Sequence, residues 1–346
     1  MKTVLTAFAT AAALAMASVA ALAQSASGPI PVTVDNYVRA ETDKTFAGLI
    51  AMGDGIGKFH HNREMVPVDV HVVQRGNRDT LYSTAVVDLD AGPVTITLPD
   101  AGTRFMTMIF IDEDHYVHDV MYGRGTYAMS KDKIGTRYAL AAVRILVDPN
   151  DPKDVEQVHR LQDRIQLKQP GGSGTFAPSN WDEAGRKKIA DALTVLGETL
   201  PDWRGAAGPK GEVDPIRHLI VTATGWGLNP DKDAIYLNVT PKQNDGETVY
   251  TLTVKDVPVD GFWSISLYNA EGYFQKNDLN SYSLNDITAK KNPDATVTVQ
   301  FGGCDGKIPN CLPTMTGWNY MVRLYRPRDE ILSGKWKFPE AQPVNQ

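Results

Sequence analysis

The polar density of this chain is greatest between His60 and His118, and the segment Asn77-Arg78-Asp79-Thr80-Leu81-Tyr82 is the part best furnished to grip a small molecule. Gly76 and Asn77 allow a sharp turn, after which Arg78 and Asp79 enter a strand side by side, with Thr80 and Tyr82 on one face. An arginine fork takes a carboxylate in bidentate fashion, and a tyrosine hydroxyl adds a donor or an acceptor. The same Arg-Asp pair could equally tie a turn to its sheet, and the residues leave both readings open.

Further along, Asp112-Glu113-Asp114-His115-Tyr116-Val117-His118-Asp119 sets two imidazoles three residues apart among four carboxylates. In a helical turn the rings would share a face; in a strand they would point oppositely. Such a mixed nitrogen and oxygen set suits zinc or manganese, but its spacing is not diagnostic and an acidic loop at a strand end is more often simply solvated. No metal is therefore assigned. Asp69 and His71, two apart on an expected strand, share a face opposite Val68, Val70 and Val72 and could hold a metal or orient an imidazole, but an ordinary solvent-facing sheet edge is the better explanation. His115 and Asp79 emerge as candidate proton carriers, and Asn77, Arg78 and Tyr82 as candidate ligand contacts.

Several familiar engines are missing. The chain has no G-x-S-x-G elbow, no Walker loop and no H-E-x-x-H. Gly53-Asp54-Gly55-Ile56-Gly57 imitates a dinucleotide loop, but it follows a helix and so reads as a helix stop.

The elements that must hold these residues follow from periodicity. Residues 35–52 read as a helix with Val38, Phe46, Leu49 and Ile50 on one side. From 66 to 98 the period becomes two, and further strands are expected at 105–111 and 138–147. Helical spacing returns in Val155, Val158, Leu161 and Ile165, and again in Ile189, Leu193, Leu196 and Leu200 behind Asn180-Trp181-Asp182-Glu183, a cap with Glu at its third position. A Gly/Ala/Pro-rich linker at 204–213 precedes a short helix at 215–224. The remainder alternates cleanly at 248–254, 262–268, 296–301 and 319–325, which predicts an antiparallel sandwich of jelly-roll type. On the strand at 262–268, Trp263 shares the core face with Ile265 and Leu267, whereas Tyr268 leaves with Ser264 and Ser266 and is a candidate ligand contact. The fold class is thus α+β, with a mixed N-terminal domain at 24–205 and a β-sandwich at 206–346.

The 346-residue chain has a formal net charge of −6. Lys2 and the apolar run ending Ala21-Leu22-Ala23 read as a signal peptide cleaved after Ala23, which points to a periplasmic or secreted protein. Cleavage removes one positive charge, taking −6 to −7. Scattered basic residues argue against nucleic acid as a partner, and no later segment predicts a membrane span. Cys304 and Cys311 lie close together in a loop of turn formers, and an oxidising compartment should pair them. Cofactor and oligomeric state are not legible.

Longer phrases carry a resemblance. Asn77-Arg78-Asp79-Thr80-Leu81-Tyr82-Ser83, Asp112-Glu113-Asp114-His115-Tyr116 and Asp148-Pro149-Asn150-Asp151-Pro152 resemble the bacterial family called domain of unknown function 1254. Asp260-Gly261-Phe262-Trp263-Ser264-Ile265-Ser266-Leu267-Tyr268-Asn269, Asn280-Ser281-Tyr282-Ser283-Leu284 and Gly334-Lys335-Trp336 resemble its usual C-terminal companion, domain of unknown function 1214. The resemblance implies a mixed domain followed by a β-sandwich and carries no established activity. The residues themselves lead to an expectation of a small-molecule protein with its pocket between the domains, lined by Arg78, Asp79, Tyr82 and His115. Catalysis there would be hydrolytic or isomerising. The rival expectation is a non-catalytic carbohydrate- or ligand-binding or envelope module in which the same residues brace the fold.

Overall fold

The computed structural model describes residues 28–69 and 74–344. The expected signal peptide with its cleavage after Ala23, and His71, lie outside the described residues.

The first half is built on a five-stranded antiparallel sheet in the order β1 (His60–His61), β2 (Thr80–Asp88), β7 (Tyr138–Leu146), β4 (Met106–Asp112) and β5 (Val117–Tyr122). Both its faces are covered, which is why β4 and β7 are buried along their whole length. One face, with Leu81, Met108, Phe110 and Val143, packs on a small sheet of β6 (Gly125–Met129), β3 (Val94–Leu98) and β8 (Gln166–Lys168), and on helix α2 (Pro152–Asp163). The other face, with Val86, Ile109 and Leu140, receives Phe46 of helix α1 (Tyr37–Met52). Two more helices, α3 (Glu183–Gly197) and α4 (Pro215–Thr224), complete this layer against α1. Helix α4, which the sequence reading groups with the sandwich, thus packs on the helices of the first half.

Helix starts follow capping chemistry. Asp151, Asp182 and Asp214 each precede a helix and accept hydrogen bonds from its first free amides. Glu183 is the first helical residue after its Asp182 cap and pairs with Arg186, so the expected reciprocal cap with Glu at the third position does not form. The period-two reading fails at 66–69, which form no strand. Val68 there is drawn into the contact between the two halves rather than into a ladder.

The second half is a sandwich of two four-stranded sheets. One runs β14 (Cys311–Leu312), β13 (Val297–Phe301), β10 (Tyr250–Val254), β16 (Gln342–Pro343); the other runs β12 (Ser283–Asn285), β11 (Trp263–Tyr268), β15 (Asn319–Tyr325), β9 (Ala234–Val239). All pairs are antiparallel except β13 with β14. Trp263, Ile265 and Leu267 enter the core between the sheets with Val299, Phe301 and Tyr320, as alternation predicts. Cys304 and Cys311 form a disulfide. No helix among the described residues is long and apolar enough to cross a membrane.

Candidate functional site

Alternation also decides what the sandwich turns toward the first half. If odd-numbered residues of β11 face the core, Ser264, Ser266 and Tyr268 must leave the opposite way, and in β15 the same logic sends out Met321, Arg323 and Tyr325. The register places Asn285, Ser264, Arg323 and Tyr236 directly opposite one another across the four strands, forming a polar row. This face docks on the first half through Phe105, Leu146 and Val68, which pack against Tyr236, Phe262, Tyr268 and Tyr325.

Into this row comes the turn at residues 76–80. Asn77 Oδ1 accepts from the Asp79 amide at 2.8 Å, which rigidifies the turn. Asp79 is wholly buried; its Oδ2 accepts from Ser264 Oγ at 2.6 Å and its Oδ1 from Asn285 Nδ2 at 3.2 Å. Burial pushes its carboxyl up, opposed by the charge of Arg323 and by these two bonds. Arg323 donates to Ser266 Oγ at 2.8 Å, Tyr268 Oη at 2.8 Å and the carbonyls of Arg75 and Gly76. Tyr268 in turn donates to the Gly76 carbonyl at 2.6 Å. Arg78 does not pair with Asp79. It leaves the other side of the turn, where its guanidinium lies 5.4 Å from the Tyr282 ring and 5.9 Å from Phe274, and it donates to the Val66 carbonyl.

Next to this weld lies a second group of residues. The Asn77 amide donates to two phenols, Tyr82 at 3.0 Å and Tyr325 at 3.1 Å. Tyr82 stands opposite Arg144 across β2 and β7, and the Arg144 guanidinium lies 5.4 Å from the Tyr82 ring. Arg144 donates to Asn229 Oδ1 at 3.2 Å and to the Gly227 carbonyl at 2.6 Å, while Asn229 donates to Tyr236 Oη at 3.0 Å. Among the described residues no carboxylate pairs with Arg144; burial works against its charge, and the neighbouring phenols of Tyr82, Tyr236 and Tyr325 outweigh it and hold the guanidinium above its ordinary value. Burial pushes the Tyr82 phenol up, but Arg144 and the Asn77 bond outweigh it and hold Tyr82 below its ordinary value, whereas burial and its neighbouring phenols drive Tyr325 well above. Tyr82 is the one side chain of this group that is not fully buried.

His115 lies elsewhere. It occupies a left-handed position, φ 64°, in the hairpin between β4 and β5, where Asp112 Oδ1 takes the amides of Asp114 and Tyr116. The hairpin tip is pinned under α4. The Gly227 amide donates to His115 Nε2 at 2.8 Å, so the proton of the neutral ring sits on Nδ1, facing Thr222 Oγ1 at 2.9 Å. Rings of Trp226 and His218 stack on it at 4.9 and 5.4 Å. Burial, with the charge of His218, holds its imidazole well below the usual range. His118 turns away to Asp112 Oδ2 at 2.8 Å. Among the described residues no group of three or more His, Cys, Asp or Glu is arranged to hold a metal ion.

The expected set is thus divided. Asn77, Asp79, Tyr82 and Tyr268 meet at the junction, Arg78 stands at its edge, and His115 is sealed under α4, reaching Arg144 only through Gly227. The residues that sequence reasoning missed are Arg144, Arg323, Tyr236, Asn229 and Tyr325. Both arginines carried a signal, each being a single charge inside an apolar strand, in Ala142-Val143-Arg144-Ile145-Leu146 and Met321-Val322-Arg323-Leu324-Tyr325. A charge at a position destined for burial demands partners.

Fold and junction define a class: an α+β protein of two halves, in which a β-sandwich is docked on a mixed sheet domain through buried arginines, a carboxylate and phenols. Residues 56–169 match the family described as protein of unknown function DUF1254, and residues 234–329 match protein of unknown function DUF1214. The two matches stand in that order along the chain, N-terminal then C-terminal. In fold it is similar to the VPA0106 protein from Vibrio parahaemolyticus, with a TM-score of 0.66 and 19% identity over 90% of this chain and 98% of that one. An uncharacterized protein from Burkholderia cenocepacia is more distant, with a TM-score of 0.50 and 13% identity over 84% of each chain. No curated protein matches the chain.

Proposed function

We propose that this protein binds a small molecule bearing an oxygen anion, a carboxylate or an enolate, at the junction of its halves, with Arg144 as anchor and Tyr82 as the group that exchanges a proton with it. One observation carries this reading. Arg144 is only 6% exposed yet pairs with no carboxylate among the described residues. A buried cation without a counter-ion is strongly unfavourable. Two groups can offset it: an ionised Tyr82, or a bound anion beside it. The partial exposure of Tyr82 supports an approach from solvent. Proton transfer, in an isomerising or hydrolytic reaction, is the chemistry such a pair is equipped for. Asp79 and His115 are less suited as proton carriers, because both carboxylate oxygens of the one and both ring nitrogens of the other already hold partners. Export to the periplasm after cleavage at Ala23 belongs to the proposal, and the Cys304–Cys311 disulfide supports it.

A second, purely mechanical reading is favoured by the closed bonding of Asp79 and Arg323, which would weld the halves without any guest. The two are separated by titrating native protein and Arg144→Met with acetate, pyruvate, succinate and citrate by calorimetry. Saturable binding of at least one, weakened ten-fold or more in the variant, is expected. If none binds the native protein, the mechanical reading stands.

A further inference from the structure

Away from the junction, the first half has an opening of different chemistry. Between α1, the tip of the β4–β5 hairpin, the residues leading into β7 and the segment at 177–181 lies a cavity of about 390 Å³, lined by Arg39, Asp43, Glu113, Thr136, Arg137 and Trp181 among others. Its volume falls within the range of sites for small molecules.

The lining combines both signs of charge. Asp43 is only 3% exposed; its Oδ2 accepts from Trp181 Nε1 at 2.8 Å, and its Oδ1 is buried with no hydrogen-bond partner among the described residues. A buried acceptor left without a donor is unfavourable, and more so if it is charged. Burial accordingly pushes the Asp43 carboxyl up to about 6, with Glu113 adding to the push and the Trp181 bond opposing it. Glu113 takes the Tyr138 amide on Oε2 at 2.9 Å, leaving Oε1 3.6 Å from Arg39 Nη1. Arg39 is otherwise held by Asp114, and Arg137 by Asp88 through Nε and Nη2. A guanidinium has five N–H donors, and among the described residues no acceptor takes those on Arg137 Nη1. Both arginines are about one-third exposed, within reach of a dissolved molecule.

We propose that this cavity is a binding site for a small zwitterion of the α-amino-acid type, its ammonium group received by Asp43 and Glu113 and its carboxylate by Arg137 and Arg39. An ammonium supplies the donor that Asp43 Oδ1 lacks. The carboxylate meets the unused face of a guanidinium already oriented by Asp88. Neither a simple amine nor a simple carboxylic acid uses both halves of the lining, so the zwitterion should bind more tightly than either.

The test is calorimetry or saturation-transfer NMR on the full chain with the twenty free amino acids, alongside n-butylammonium and butanoate as single-charge probes. At least one amino acid should bind saturably and at least ten-fold more tightly than both probes. Asp43→Asn keeps an acceptor for Trp181 and should remain folded, yet it should weaken that binding at least ten-fold. Arg144→Met should leave it unchanged, which separates this site from the junction. Failure of all twenty to bind at millimolar concentration, equal binding by Asp43→Asn, or loss only in Arg144→Met would overturn the assignment.

Discussion

Replacing Asp79 isolates the contact that holds the two halves together. Its carboxylate is wholly buried and accepts from Ser264 and Asn285, and it is the carboxylate among the electrostatic partners of Arg323. Asp79→Ala strands two donors, each unfavourable by about 1–3 kcal/mol. It also removes from Arg323 a charge that acts on it through space. The two stranded donors together predict a loss of about 4 kcal/mol. Asp79→Asn behaves differently. Its carbonyl still accepts from Asn285, its amide can donate to a Ser264 hydroxyl that reverses, and the burial that pushes the native carboxyl up is relieved. The net loss should stay near 1–2 kcal/mol. Urea unfolding followed by tryptophan fluorescence, with linear extrapolation, measures both. An alanine variant within about 1 kcal/mol of native, or an asparagine variant as damaged as alanine, would refute the reasoning.

Further expectations concern His115 and the disulfide. His115 has a folded pKa below its unfolded value near 6.5, so its contribution to stability is complete above pH 6.5 and is lost as pH falls toward the folded value. His115→Gln should therefore flatten the fall in unfolding free energy between about pH 6.5 and pH 5, and an unchanged profile would remove His115 from the account. Substituting both Cys304 and Cys311 by Ser opens a loop with a sequence separation of 7 and should lower stability by roughly 2–3 kcal/mol while leaving the circular dichroism spectrum intact; collapse of the whole fold would show that the bond does more than staple its loop.

Much of the architecture could be read from periodicity. Strands such as β11 and β15 show which side chains enter the core, and the spacing of Val155, Val158 and Leu161 marks α2. The face carrying Ser264, Ser266 and Tyr268 was equally legible; what it meets was not, because contacts between residues some 200 positions apart leave no local pattern. This is why Asp79 could be singled out without its partners Ser264 and Asn285. His115 misled for a related reason. Its acidic neighbours suggested a solvated or metal-binding loop, whereas Asp112 spends one oxygen on the turn's own amides and the imidazole is closed over by α4. Near Val68, apolar alternation without cross-strand partners gave a contact segment, not a strand.

In the proposed site Arg144 acts on the junction as a positive charge without a carboxylate partner, and the phenol of Tyr82 is its internal reporter. With tyrosine labelled at ¹³Cζ and Tyr82 assigned through Tyr82→Phe, its titration can be followed by NMR in native protein and in Arg144→Met. A midpoint below 10 in the native protein that rises when Arg144 is replaced agrees with the account; a Tyr82 that titrates at or above 10, indifferent to Arg144, contradicts it.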